Sequence, residues 1–362
     1  SSRSSSSGGR AANKAATQVV DGIYVRQPIF HELLEVGVTS LALNPSGPGF
    51  PGLGAVLDPS GRTRGDLTRD DEAFVQIGMQ RNAAAKKLLK DTFEKAKKVV
   101  EEREKPPEPP KKPEPKKEEE AKKKSAEGEK PSEETKPESG QPPKKGDAPA
   151  PKEGEKKQDP KKAPAKPAAK PKPKPKDPNL EVLADLLQGK RRAIVQIDSA
   201  ADLLHWTNVV DDDVKFPRMV AVPRHDNRSG TMDVVVDHLK KWGCSVLLPP
   251  SLSTKPSSAD LTHPAKILHE AGVEVGFAVG DSASGVRSLF YNLMQMVRAG
   301  LPADVAIKAV THVPAKALGI DKRTGTIEEG KDADLLIFTG DPLSPTGKLD
   351  QVWLRGQKVE KR

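Results

Sequence analysis

The sequence predicts an α/β fold in which a parallel sheet is covered by helices on both faces. Three observations predict it. From about residue 180 onward, short continuous apolar runs alternate with amphipathic stretches. Glycines such as Gly189, Gly243 and Gly272 stand where those amphipathic stretches end. The charged residues, 31% of the 362, are concentrated in one low-complexity segment and leave the remainder apolar enough for a core. Strands that are apolar on both sides need cover on both sides, which the βα alternation supplies. At this level a doubly wound sheet and a (β/α) barrel satisfy the pattern equally.

In chain order, the Ser-rich residues 1–17 read as a flexible lead. Residues 29–34 have helical spacing and Gly37 stops them. Residues 38–43 are β-branched and apolar, closed by Asn44-Pro45, and read as a parallel strand. The Gly/Pro-rich loop 46–54 has no Lys-Ser/Thr after its glycines and no helix at once behind them, which argues against a phosphate-binding loop. A short strand, 55–57, and a turn, 58–61, follow. Residues 70–102 read as one long helix with Leu88, Leu89, Phe93 and Ala96 on one side.

Between Glu104 and Pro178 no apolar residue other than alanine and proline occurs. Such a segment cannot bury enough apolar surface to offset chain entropy, so 104–178 is predicted to be disordered and to be cut first in limited proteolysis. It holds 22 Lys against 16 Asp and Glu and so carries +6 of the net +9. The basic balance belongs to this segment and gives no reason to expect a specific nucleic-acid surface on the folded part. Weak contact of the segment with anionic surfaces is the one partner its charge suggests; its interleaved glutamates and lack of aromatics fit a solvated spacer better.

Beyond it, helices are expected at 180–187, 200–210, 232–242, 264–271 and 286–298. Strands are expected at 193–197, 219–222, 245–248 and 273–279. Near the C-terminus, a helix starts by Asp304. Thr311 is placed to cap a second one, with Pro314 in its first turn and Gly319 as its left-handed stop. Residues 335–338 read as a buried strand, and Arg355-Gly356-Gln357 as the turn of a closing hairpin. No apolar run approaches the roughly 20 residues that span a bilayer. Cys244 is alone, which excludes a disulfide framework or a cysteine metal cluster. The start at Ser1 reads as a processed chain or a fragment, and the compartment is left open.

The string Thr311-His-Val-Pro-Ala315, Ala317-Leu-Gly-Ile320, Gly325-Thr-Ile-Glu-Glu-Gly330-Lys-Asp-Ala-Asp334 and Gly340-Asp-Pro342 resembles the C-terminal end of the amidohydrolase superfamily, in its imidazolonepropionase-like branch. Weaker likeness extends to Gly37-Val-Thr39 with the loop after it, and to 177–187 with 202–204. The resemblance selects the TIM-type (β/α) barrel, here incomplete, and a composite β-sandwich. It implies 18–103 as the first part of the barrel, 179–318 as the second and 319–362 as sandwich strands, with the long insertion between the barrel halves. The C-terminal string is a structural signature of that family rather than its catalytic one.

The resemblance also implies a chemistry: hydrolysis of a non-peptide C–N bond in a small-molecule amide by water activated on zinc or another divalent metal. The family places a His-x-His pair after the first barrel strand, histidines after two middle strands and an Asp after the eighth. No two of the seven histidines, His31, His205, His225, His238, His263, His269 and His312, are separated by a single residue. Gln196 and Asp198 stand where a strand-end histidine is expected, and Gln is a poor zinc ligand. His225 follows the strand 219–222 and is a candidate metal ligand. Asp281 follows the strand 273–279 and is the candidate catalytic and metal-binding carboxylate; a turn or N-cap role suits it equally. His205 reads as a packing residue, and the other histidines as residues away from strand ends. Two candidates are fewer than the three ligands a catalytic zinc wants, so the expectation is a pseudoenzyme that binds no metal. The competing class is a non-catalytic scaffold that uses the barrel as a frame and the charged segment as a tether.

Overall fold

The computed structural model describes residues 10–105, 176–210, 214–222, 232, 234–254, 259, 261–280 and 283–360. The segment expected to be disordered lies, apart from its ends, outside the described residues. Contacts divide the chain into 1–106 with 175–362 as one unit and 107–174 as another, and only the first is described below.

Strand β1 (Ala12–Asn13) opens the unit, followed by helix α1 (Pro28–Glu35), β2 (Leu41–Leu43), β3 (Gly49–Leu57), the one-turn α2 (Arg64–Leu67), β4 (Thr68–Gly78) and α3 (Ala83–Glu104). After the insertion come α4 (Pro178–Leu187), β5 (Ala193–Gln196), α5 (Ala200–Thr207), β6 (Arg218–Ala221), α6 (Val236–Trp242) and β7 (Ser245–Leu248). A two-residue ribbon, β8 (Ser253–Thr254) with β9 (Leu261–Thr262), precedes α7 (Pro264–Glu270) and β10 (Val275–Phe277). Helices α8 (Ala283–Arg287), α9 (Leu289–Arg298), α10 (Ala303–Lys308) and α11 (His312–Leu318) lead to β11 (Leu335–Thr339), β12 (Lys348–Leu354) and β13 (Gln357–Lys358).

The main sheet has the order β1-β3-β4-β5-β6-β7-β10, with β2 paired to β3. From β4 to β10 every pairing is parallel. This is the barrel the sequence predicts, incomplete in that its ladder ends at β1 and β10 among the described residues. Alternate residues divide its two faces. Val75, Ile77, Val195, Val220, Val246, Leu248 and Phe277 join one large core with Leu89, Phe93, Leu183, Leu203, Trp206, Leu239 and Leu268 from the covering helices. On the other face, Phe74, Ile194 and Val56 pack with Leu318, Ala317 and Ile320, so the end of α11 sits over the sheet.

Several expectations are corrected. Residues 10–17 are no loose lead: β1 runs parallel to β3, and Ala15 is fully buried. Strand β2 is antiparallel to its neighbour β3, so it is no part of a parallel βα unit. Residues 70–78 belong to β4, a central strand, and the helix begins only after Asn82, whose side chain accepts from the Ala85 amide. The run Arg69-Asp70-Asp71-Glu72 imitates a helix start, whereas Ala73 to Ile77 alternates between two buried faces. Thr311 does not cap α11 through its side chain; its hydroxyl donates instead to the Ile307 carbonyl, 2.9 Å away. Strand β11 is half-exposed rather than buried, and it is an edge of the three-stranded sheet β11-β12-β13. One face of that small sheet is nevertheless buried: Leu336, Leu349, Val352 and Leu354 pack on Leu34 of α1, and Phe338 meets Phe290 edge-on at 4.7 Å.

Helices α3 and α4, which flank the insertion, are clamped together. Arg103 donates to Asp185 Oδ1 at 2.8 Å and to Gln188 Oε1 at 3.0 Å, and it pairs with the Glu181 carboxylate. The helices therefore meet without help from the segment between them. Replacing 107–174 by a short Gly/Ser linker is expected to leave a cooperative thermal transition with its midpoint little changed, since loop-closure entropy changes by only about 0.6 kcal/mol per doubling of length. Calorimetry checks this; loss of the cooperative transition would show that the segment holds the fold together.

Candidate functional site

The C-terminal ends of parallel strands are where a (β/α) barrel gathers its functional side chains. At that end of β4 and β5, Gln76 and Gln196 lie on the face opposite the large core. Gln76 is 2% exposed, and its Nε2 donates to Gln196 Oε1 at 3.1 Å. The Gln76 Oε1 atom is buried and accepts nothing. Two residues beyond Gln76 the loop after β2 lies directly on β4: a Cβ at Gly78 would stand 2.3 Å from the Gly47 carbonyl oxygen, so only glycine fits there.

On the other side of the same strand ends, Asp202 in the first turn of α5 is buried at 2% exposure. It accepts from Arg81 Nε at 2.5 Å, from the Ser199 hydroxyl at 3.0 Å and from the Asp198 amide at 3.1 Å. Arg81 also donates to Ser199 Oγ at 2.9 Å. These bonds fasten the start of α5 to the end of β4 and leave the carboxylate fully engaged, and the same pairing raises the Arg81 pKa above its ordinary value. The absence of a Ser199 side-chain cap on α5 follows from that engagement.

His263 is the histidine whose placement departs most from expectation. It lies at the ends of β7 and β10, with its ring edge-on to Phe277 at 5.6 Å. Its Nδ1 accepts from the Ala265 amide, capping α7, and its Nε2 is 3.0 Å from the Pro249 carbonyl. With Nδ1 accepting, the proton sits on Nε2, and a neutral ring satisfied on both sides has no lone pair left for a metal. His205 lies 3.0 Å from Lys86 Nζ, and His31 Nε2 lies 2.9 Å from Glu35 Oε1 within α1. The two candidates drawn from the sequence, His225 and Asp281, lie outside the described residues.

Several polar groups at these strand ends are engaged by the protein itself. The Gln196 carbonyl oxygen is taken by Gln76, Asp202 by Arg81, and His263 by backbone at both nitrogens. No cluster of three or more His, Cys, Asp or Glu side chains able to hold a metal occurs among the described residues. Cys244 is buried, and burial pushes its thiol up to about 11, well outside the range of a working nucleophile.

The C-terminal signature does its work at the opposite, N-terminal end of the strands. Asp334 accepts from the Arg355 amide at 2.9 Å, from Thr324 Oγ1 at 3.3 Å and from Arg69 Nη2 at 3.3 Å. Arg69 also faces Asp58 at 3.6 Å, and Arg355 pairs with Asp58 through its guanidinium. The Asp58 Oδ1 accepts from the amide and hydroxyl of Ser60. Arg69, Asp58 and Asp334 side chains are all nearly buried, at 4%, 1% and 1% exposure. This network staples β12–β13 and the Gly325–Asp334 turn to β3 and β4. Nearby, Arg192 donates to the Lys316 carbonyl at 3.0 Å, closing the C-terminus of α11 over left-handed Gly319.

An open polar hollow of about 310 Å³ lies beside it, lined by Glu72, Asp185, Arg191 and Arg192 among others. Asp185, Glu72, Lys190 and Arg191 are paired with one another within it. Glu72 accepts from Arg191 at 2.6 Å and from Gln18 at 2.8 Å, and the Arg191 bond holds its carboxyl below the ordinary value of 4.5 despite partial burial. A carboxylate whose folded pKa is depressed contributes stability that is present above the unfolded pKa and is lost as pH falls through the folded one. Urea midpoints measured from pH 7 downward are thus expected to fall below about pH 4.5 less steeply in Glu72→Gln than in the wild type; identical acid limbs would show that Glu72 contributes nothing.

Gln76 is the residue that sequence reasoning missed. It was hidden because 70–102 reads as one helix; the signal that reveals it is the alternation of Phe74 and Gln76 with Val75 and Ile77.

Residues 200–359 match the amidohydrolase family. The chain is similar to the amidohydrolase tasK of Hapsidospora irregularis, 30% identical over 91 residues that make up 25% of this chain and 9% of that protein. It is 32% identical to an imidazolonepropionase of Treponema denticola over 142 residues, 36% of this chain and 33% of that protein. The chain thus spans a third or less of these curated relatives. Among solved structures, an amidohydrolase from Thermotoga maritima MSB8 matches with a TM-score of 0.67 at 18% identity, covering 97% of this chain and 79% of that one, a likeness of fold. The signature string from Thr311 to Asp334 lies inside the matched range, and the fold around it is the same α/β arrangement. Residues 200–359 thus carry the likeness to the amidohydrolase family, and the likeness of fold reaches beyond them.

Proposed function

We propose that this chain carries the frame of a hydrolase acting on non-peptide C–N bonds but works as a binding protein, without hydrolysis by metal-activated water. The observation that carries the reading is the Gln76–Gln196 pair. Gln196, at a strand end where by the family resemblance a metal-binding imidazole is expected, accepts from a second amide, Gln76. An amide oxygen is a weak ligand for zinc, and one that already accepts a hydrogen bond is weaker still. The engaged states of Asp202 and His263 support the same conclusion. A small amide-bearing molecule is the ligand class that the resemblance suggests.

The test is turnover. The purified full chain, with and without added zinc, is assayed against cyclic amides and N-acylated amino acids, alongside Asp281→Asn. No turnover above the uncatalysed rate in either protein is expected. Metal-dependent hydrolysis that disappears in Asp281→Asn would overturn the reading and restore Asp281 as a catalytic carboxylate, with His225 the first residue to examine as its partner ligand.

A further inference from the structure

We infer that the polar hollow at the N-terminal ends of β4 and β5 binds a free α-amino acid with a small aliphatic side chain, its carboxylate on Arg192 and its ammonium on Asp70. The site lies at the end of the strands opposite Gln76 and Gln196, and the inference does not rest on the binding reading above.

The charges decide the ligand class. Asp70, Glu72 and Asp185 face Lys190, Arg191 and Arg192 around the hollow, so the formal charge of its lining is zero. Four of these six are paired with one another. Arg191 meets Glu72 at 2.6 Å and Asp185 at 3.8 Å, and Lys190 lies 3.9 Å from Asp185. One cation and one anion are left over. Arg192 makes a single hydrogen bond, to the Lys316 carbonyl at 3.0 Å, and pairs with no carboxylate among the described residues. Asp70 accepts from the Glu72 amide at 3.0 Å and pairs with no cation among the described residues.

The sheet puts these two on one face. Asp70 stands opposite Val56 in the β3–β4 pairing, and Val56 packs with Ile194 and Leu318. Arg192 precedes Ile194 by two residues, and its carbonyl holds the ladder by accepting from the Val75 amide at 2.9 Å. Directly opposed residues share a face, as do residues two apart on a strand, so Asp70 and Arg192 both lie on the side of the sheet that α11 covers. There the guanidinium is seated rather than loose: a Cβ at Gly319 would stand 2.4 Å from Arg192 Cζ, so only a bare glycine lets it lie against the end of α11. Of its five N–H donors one is spent on Lys316, which leaves enough for a carboxylate. Ala73 and Leu318 supply the apolar part of the lining. A lone anion in the hollow meets Asp70 and a lone cation meets Arg192, whereas a zwitterion satisfies both and keeps the site neutral. The volume, about 310 Å³, is at the small end of ligand sites, which suits a single amino acid.

The full chain labelled with ¹⁵N is titrated with L-valine, and the backbone amides of Ala73 and Gly319 are followed. Two further probes each lack one charge: L-valinamide keeps the ammonium and isovalerate keeps the carboxylate. The titrations are run at about pH 6.5, below the α-amino pKa. Saturable shifts of both amides with L-valine are expected, with binding at least tenfold weaker for each one-charge probe and at least tenfold weaker for L-valine in Arg192→Met and in Asp70→Asn. No saturable shift with L-valine would overturn the inference. So would isovalerate binding within tenfold of L-valine, which would mark a plain anion site at Arg192, and so would L-valinamide doing the same, which would mark a plain cation site at Asp70. Unchanged affinity in either variant would overturn it as well. If Arg192→Met fails to fold for want of its bond to α11, the three probes on the wild type and on Asp70→Asn still decide.

Discussion

Replacing Arg69 by methionine is expected to cost about 3–5 kcal/mol of folding stability, because it removes one partner of a buried charge cluster and leaves the others in place. Arg69 is 4% exposed and faces Asp58 at 3.6 Å and Asp334 at 3.3 Å, both 1% exposed. Arg355 and Ser60 keep Asp58 partly paired, and Thr324 with the Arg355 amide does the same for Asp334, which sets the loss nearer the lower end. The guanidinium is itself imperfectly satisfied, since Nε and Nη1 make no hydrogen bond. The cluster therefore holds the C-terminal strands in one arrangement at some expense in stability. Urea denaturation followed by circular dichroism measures the effect, and a loss under about 1 kcal/mol would show that the cluster behaves like an exposed ion pair. The triple variant in which Asp58 and Asp334 also become Asn is expected to recover part of the loss, because the uncompensated charge is then gone.

A loss of similar size, about 3–5 kcal/mol, is expected for Trp206→Ala. Trp206 is fully buried in α5 and lies edge-on to Phe93 at 6.2 Å and to Trp242 at 6.5 Å. Phe93 in turn meets Phe50 at 5.3 Å and stacks on Phe216 at 5.9 Å, so a series of ring contacts through Trp206 and Phe93 joins α3, α5 and α6 to β3. Arg218 lies over the rings of both Phe216 and Trp242 and closes the cluster. The indole N–H of Trp206 has no partner, so Trp206→Phe removes an unsatisfied donor while keeping much of the apolar area. Its cost is expected to stay under about 1.5 kcal/mol. Equal losses for Ala and Phe would indicate a hidden partner for the indole nitrogen.

The second half of the chain was legible because its signals are local and agree with one another. Apolar strand runs, amphipathic helices and left-handed glycines such as Gly243 and Gly319 all mark the same boundaries. The hairpin turn at Arg355-Gly356 was legible for the same reason, and both residues have positive φ. The first half was not, because its strands depend on partners distant in sequence. Strand β4 begins with Arg69-Asp70-Asp71-Glu72, charges that suit a helix start, and their reason for being there is Arg69 reaching Asp334, 265 residues away. Strand β1 is two residues long and exists only through its pairing with β3.

The candidate site divides in the same way. Gln196 was legible as a departure from the family's histidine, since the strand around it is unmistakable. Gln76 was not, since its strand was read as helix, and the Arg81–Asp202 bond joins elements separated by the insertion. His263 was placed away from the strand ends because the ribbon β8–β9 brings it back to Pro249, a return with no periodic signal.

The central claim, that amides rather than a metal occupy the strand ends of this amidohydrolase-fold chain, is tested most directly by counting metal. The full chain, loaded with zinc and dialysed to equilibrium, is analysed for metal per mole of protein, with Asp281→Asn and Gln196→His in parallel. Zinc far below one per chain in the wild type, unchanged in Asp281→Asn, is the expected result. One zinc per chain retained through dialysis and lost in Asp281→Asn would contradict the claim.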